Sequence, residues 1–171
     1  MKKLVRFLLV VVLAAGIQTT VKAQAQKFGH VDSSEILQLL PERATAEKAF
    51  QNYMVELDKE LQNMAGEYQS KLADYQANQA TMSALVKQSK EKELTDLGQR
   101  IQEYQSNAEV EAQKKQVELM EPLIKKVQDA VNAVGKEQGF TYIFDKSIGA
   151  VVYLGDSAID ITNDVKKKLG L

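Results

Sequence analysis

The feature that most constrains this chain is an apolar seam that runs out and then returns in mirror image. Ala46, Phe50, Tyr53, Leu57, Leu61, Met64, Tyr68, Leu72, Tyr75 and Gln79 follow steps of four, three and four. Leu97, Ile101, Tyr104, Ala108, Ala112, Lys115 and Leu119 keep the same rhythm. Set antiparallel, their numbers sum to 165, pairing Leu57 with Ala108, Leu61 with Tyr104, Met64 with Ile101 and Tyr68 with Leu97. Residues three and four apart share one helix face, so the pattern predicts two long helices zipped into a hairpin. The 4-3-4 step repeats every eleven residues, which favours a nearly straight or weakly right-handed pair. Such a hairpin has little interior, so it suits an arm better than an enzyme.

The boundaries of the arm are marked by proline. Between Pro41 and Pro122 there is none, and Ala, Gln, Glu, Lys and Leu dominate, all good helix formers. Pro41 suits the first turn of a helix, where its missing N–H would be unpaired anyway. Pro122 predicts a kink. The two prolines sum to 163 and so share the hairpin's base. We therefore divide the chain into an arm, 42–121, and a discontinuous body, 26–41 and 122–171. The mirror centre puts the tip near 79–86, where Asn78, Thr81 and Ser83 favour caps and turns. The register behind Leu97 reaches Lys90, so the seam is expected to fade there and leave the tip loosely ordered.

Residues 1–25 read as a secretory signal peptide: basic Lys2, Lys3 and Arg6, the apolar or small stretch Phe7 to Ile17, then small-residue cleavage patterns ending at Ala23 or Ala25. The apolar stretch is too short for a membrane span. The remaining 146 residues carry 18 basic and 23 acidic groups, a balance that argues against a nucleic-acid partner. Without cysteine, an exported chain has no disulfide framework, thiolate metal site or lipid anchor. Its one histidine cannot build an imidazole cluster.

The body predicts a thin α+β core. Residues 27–32 alternate as a strand. Asp32, Ser33 or Ser34 can cap a short helix, Glu35 to Leu40. Beyond Pro122 an apolar helix runs through Leu123, Val127, Val131 and Val134 and stops between Gly135 and Gly139. Residues 140–145 and 150–154 read as two strands joined by a four-residue loop with Gly149. Asp160 is expected to cap a last helix that ends at Gly170. So small a sheet is marginal alone, and its edges invite completion by other copies of the chain.

No catalytic site emerges. His30 lacks a nucleophile and an orienting acid in sequence context. The carboxylate pairs Glu91/Glu93 and Glu109/Glu111 belong on solvated helix faces. No phosphate-binding loop occurs. No catalytic, cofactor-binding or metal-binding residue is therefore expected. Two other sets stand out. Gly66 and Gly98 sum to 164 and are expected to face each other, by coincidence, as a tolerated close approach or as a pivot in the arm. Met82, Leu85, Val86 and Lys87 at the tip combine adaptable apolar groups with positive charge. Off-seam Met54, Val55, Val110 and Val117 could form a weakly apolar inner face, or could touch neighbours within the hairpin.

With these features in place, the chain resembles the OmpH/Skp family of periplasmic chaperones. The resemblance rests on "FGHVDSSEILQLLPE", on the hairpin's composition, on "MEPLIKKVQDAVNAVGKEQGFTYIFD" and on "AIDITNDVKKKLG". It implies a homotrimer with a β-body and three arms around a cavity. There, unfolded outer-membrane β-barrel proteins would be held without ATP or any other cofactor. It further implies that strongly basic arms would serve for contact with acidic lipid or lipopolysaccharide. Residues 42–121 here hold 10 basic and 15 acidic groups, which limits any membrane-surface contact to weak binding through Lys87, Lys90 and Lys92. The alternative is a structural spacer or tether of the cell envelope.

Overall fold

The computed structural model describes residues 26–171, so the expected signal peptide lies outside the described residues. In chain order the elements are β1 (Phe28–Val31), α1 (Ser33–Leu39), α2 (Pro41–Asn78), α3 (Ala84–Glu137), β2 (Tyr142–Asp145), β3 (Ile159–Asp160) and α4 (Thr162–Leu169).

Local chemistry sets the joints. Asp32 caps α1 by accepting from the Glu35 N–H at 2.9 Å. Pro41 opens α2 directly afterwards. Because α1 ends in an extended Leu40 rather than a glycine turn, the chain changes direction in one residue. Gly170 closes α4 at φ 76°, a left-handed conformation that glycine adopts without steric cost. Asp160 does not occupy the cap position of α4. That position is Ile161, and Asp160 instead accepts from the Thr162 N–H at 2.8 Å from one residue further back.

The sheet has the order β2-β1-β3, and both pairings are parallel. Residues 140–145 and 150–154 therefore do not form a hairpin, and 150–154 is not a strand. Gly149, at φ 72°, turns the chain away from β2. The following segment then crosses the outer face of the sheet, where Val151 and Leu154 line a recess. β3 is Ile159–Asp160, held to β1 as Ile161 N–H donates to the His30 carbonyl at 2.9 Å. Parallel neighbours need a long crossover, and here the connection from β1 to β2 is the whole helical hairpin.

The core lies between the inner sheet face, α1, α4 and the last third of α3. Ile36, Ile161 and Val165 are fully buried, with Val31, Leu123, Val127 and Val134 beside them. It ends at Ala46 and Leu119. Beyond them the only interior is the seam, and every α2 seam position from Ala46 to Tyr75 is at least half-buried. At 1.5 Å per residue α2 spans roughly 57 Å. The hydroxyl of Tyr104 donates to the Leu57 carbonyl at 3.3 Å, tying the two helices at mid-arm. Pro122 lies within α3, between Leu119 and Leu123, and the helix continues through it.

The seam does not fade toward the tip; its chemistry changes. Leu94 is buried, and past it Lys90 pairs with Asp74 at 3.3 Å while the Tyr75 hydroxyl donates to Glu91. Polar side chains thus replace apolar ones at the same positions. The turn is short, 79–83, and Ser83 caps α3 by accepting from the Val86 N–H at 3.4 Å. Thr81 donates from both N–H and hydroxyl to the Asn78 carbonyl, at 3.0 Å each.

Candidate functional site

Two surfaces could carry function: the open face of the sheet and the arm. β1 and β2 alternate, so Gly29, Val31 and Ile143 turn to the core while Phe28, Tyr142 and Phe144 turn outward. The three rings stack with centroids 5.9 to 6.4 Å apart. They are 47, 58 and 50% exposed, which is unusual for a contiguous aromatic patch on a finished surface. Ile148, Val152 and Tyr153 on the adjoining segment are more exposed still. Between ladder and segment is a recess of about 340 Å³.

His30 lies at the floor of this recess, 7% exposed. Its Nδ1 stands 3.7 Å from Asp160 Oδ2, too far for a hydrogen bond, and has no partner among the described residues. Lys146 bridges Asp160 and Asp32 at 3.6 and 3.7 Å. Burial pushes the Asp160 carboxyl up, but bonds from Thr162 outweigh it and hold the group below its ordinary value. Asp145 behaves alike. Burial raises it, while the Ser33 hydroxyl, Ser147 and the backbone N–H groups of both residues bring it lower. These carboxylates fasten strand ends to α1 and α4. No nucleophile is engaged with His30, and no group of three or more metal-binding side chains occurs among the described residues.

On the arm, the hairpin is laced by Lys71–Glu93, Lys90–Asp74 and, at the base, Lys126–Glu42. The hydrogen bond to Glu93 holds the Lys71 ammonium above its usual value and the Glu93 carboxyl below its own. Both groups stay in contact with water, so such pairs set register more than they add stability.

The candidate contact residues are on the surface but do not form one patch. Met54 borders a groove between the helices. Val55 lies on the outer back of α2, whereas Val110 and Val117, one heptad apart, lie on the back of α3; the three are 66, 49 and 64% exposed. They are therefore on opposite edges of the arm. At the tip Leu85 is 76% and Val86 43% exposed, while Met82 and Lys87 are half-buried. Lys92 is paired with Asp96 at 2.8 Å and Lys90 with Asp74, leaving Lys87 without an ion pair among the described residues. Gly66 and Gly98 do not face each other. A methyl group on Gly66 would meet nothing within 4 Å, and on Gly98 only the Tyr68 ring at 3.8 Å. Equal height along a hairpin does not imply a shared face, because each residue rotates by 100°.

The model of the OmpH family, described as outer membrane protein (OmpH-like), matches residues 27–169. The chain belongs to the OmpH family. A protein named chaperone protein Skp from Pectobacterium atrosepticum is 30% identical over 145 residues, covering 85% of this chain and 86% of that one. Its namesake from Yersinia pseudotuberculosis is 31% identical over 157 residues, covering 92% and 93%. The crystal structure of a putative outer membrane chaperone (OmpH-like) from Caulobacter crescentus superposes with a TM-score of 0.70 over 84% of this chain and 83% of that one. At 13% identity that likeness shows a shared fold. The OmpH-family α+β architecture, a small sheet with a long helical hairpin, is the fold expected from the seam. The aromatic ladder escaped sequence reasoning; rings two residues apart at Tyr142 and Phe144 were its one visible sign.

Proposed function

We propose that this OmpH-family protein is an ATP-independent holdase that keeps unfolded outer-membrane β-barrel proteins from aggregating in the periplasm. The observation that carries this is the extent of the family match. It takes in body and arm together, 27–169, and relatives of the same extent are named as chaperones. Binding is distributed, with Met82, Leu85, Val86 and Lys87 at the tip and Met54, Val55, Val110 and Val117 along the arm as contact points. Lys87 is the group available for weak contact with an anionic membrane surface. Export would follow from a signal peptide at residues 1–25.

The working form is a homotrimer. Supporting this, β2 and β3 each have one unpaired edge, and the aromatic ladder is half exposed in the single chain. Subunits that cover the ladder and extend the sheet would remove both liabilities at once. Native mass spectrometry should find three chains, and Phe28→Ser with Tyr142→Ser should shift the mass to one. For function, a urea-unfolded β-barrel protein is diluted with and without the chaperone, and light scattering is followed. Suppressed scattering with one client per oligomer supports a holdase. Unchanged scattering would point instead to an envelope spacer.

A further inference from the structure

The two flat flanks of the arm differ in kind. One flank consists of the residues that follow each seam position, the other of the residues that precede it. In an antiparallel pair the following positions of both helices fall on one side. The grooves confirm this, since Met54, Asp58, Gln105 and Glu109 border one and Glu67, Lys71, Glu93, Asp96 and Arg100 border the other.

Over seam positions 46–75 and 87–119, 12 of 19 preceding positions are charged but only 4 of 19 following ones. Glutamine shows the contrast more sharply. All four glutamines of α2, Gln51, Gln62, Gln69 and Gln76, fall on the following flank. So do Gln88, Gln102, Gln105, Gln113 and Gln116 of α3; of the ten in 41–78 and 84–121, only Gln99 departs. Glutamine is a good helix former anywhere on a helix, so propensity alone would scatter it. Here a quarter of the positions hold nine of the ten.

The flanks also differ in how they are satisfied. On the charged side Lys71 pairs with Glu67 and Glu93, Asp74 with Lys90, Asp96 with Lys92 and Glu111 with Lys114. None of the nine flank glutamines makes a side-chain hydrogen bond among the described residues. Beside them a groove of about 600 Å³ is floored by Leu57, Leu61 and Tyr104, because the facing Ala108 and Ala112 are too small to fill it.

We propose that, of the two flanks of the arm, the glutamine flank is the one that meets the client, and that it takes extended polypeptide stretches that are uncharged or basic. This deepens, and rests on, the holdase reading. A primary amide both donates and accepts, so a row of them can bond the free N–H and C=O groups of an unfolded backbone whatever its sequence. The groove receives apolar side chains between those bonds. Apart from Glu47, which Arg43 holds at 2.6 Å near the base, docking on this side breaks no ion pair. Its residual charges, Glu47, Asp58, Glu91 and Glu109, are all acidic, which disfavours acidic stretches. Each contact exchanges water for protein at small net gain, as reversible holding requires.

The chain has no cysteine, so single cysteines can carry a photo-crosslinker at Gln62 or Gln105 on this flank, or at Glu60 or Glu103 on the other. With a urea-unfolded β-barrel protein as probe, crosslinks should form several-fold more from the glutamine flank. Gln62→Glu, Gln69→Glu, Gln102→Glu and Gln105→Glu together should weaken retention about tenfold, since four modest contacts become repulsive toward backbone carbonyls. Four acids on the opposite flank, Asn52→Asp, Asn63→Asp, Ser89→Asp and Asn107→Asp, match the charge change and should leave retention near its original level. Circular dichroism verifies that both variants keep their helices. Equal or reversed crosslinking with scattering still suppressed overturns the flank assignment and leaves the holdase reading intact. If the unaltered protein suppresses no scattering, the holdase reading fails and the flank assignment falls with it.

Discussion

Replacing Ile36 by alanine tests whether the body, and not the arm, carries the stability of this protein. Ile36 sits in the seven-residue α1 with no exposed surface and belongs to the core cluster against α3 and α4. The change removes three carbons, which at about 0.8 kcal/mol each gives about 2.4 kcal/mol of lost transfer energy. If nothing relaxes, a cavity of about 75 Å³ adds about 1.8 kcal/mol. Because α1 is short and flanked by single-residue joints, it can shift partway into the space. We expect a loss of about 3 kcal/mol, between full collapse and an empty cavity. Out of a typical total of about 5–15 kcal/mol, that is a large share. The assay is urea unfolding followed by far-UV circular dichroism and tyrosine fluorescence. Protein concentration is fixed, since association shifts apparent stability. Val55→Ala, at a 66% exposed arm position, is the reference and should change stability by less than about 0.5 kcal/mol. A cost for Ile36→Ala below about 1 kcal/mol, or one matching Val55→Ala, would refute the placement of the core.

Gly29→Ala should destabilise by about 1–3 kcal/mol, because a methyl group there meets the Phe140 ring at 2.7 Å; an unchanged melting curve would mean that ring is free to move. Gly66→Ala and Gly98→Ala have room for the added methyl and should stabilise the helices by up to about 1 kcal/mol each. If the two glycines act as a pivot, the double variant should also narrow spin-label distance distributions between tip and base, and unaltered widths would discard the pivot. Asp145 is held below its ordinary value in the folded state, so its contribution is complete above the unfolded value of about 3.9 and is lost as pH falls through the folded one. Stability against acid should therefore decline less steeply between pH 4 and pH 2 in Asp145→Asn, measured by urea midpoints at each pH, and identical slopes would show that the Ser33 and Ser147 bonds do not matter.

The hairpin was legible because its cause is periodic. A helix face recurs every 3.6 residues, so the 4-3-4 steps and their mirror sum specify two helices, their direction and their register without any long-range information. Caps and joints at Asp32, Pro41, Ser83 and Gly170 were legible for the same reason, since each depends on neighbours within four residues. The strand pairing was not. Residues 140–145 and 150–154 carry the right propensities, but propensity is silent on partner and direction. β1 took both parallel neighbours, and Ile159–Asp160 displaced the more β-like run because Ile161 had a buried place beyond it. Lys90 misled because a lysine in a seam reads as an ending. In the structure it is a polar continuation, paired with Asp74.

By itself the sequence determined the length and the turn of the arm, since those follow from local spacing along a helix. Only the tertiary structure decided which side each off-seam residue occupies once two helices pack. Gly66 and Gly98 share a height but not a face; Val55 and Val110 lie on opposite edges; the scattered glutamines collect on one flank. The physical reason is that a helix winds 100° per residue. A residue's side of the arm is therefore fixed only once the seam of one helix packs on that of the other, and that packing is a tertiary contact.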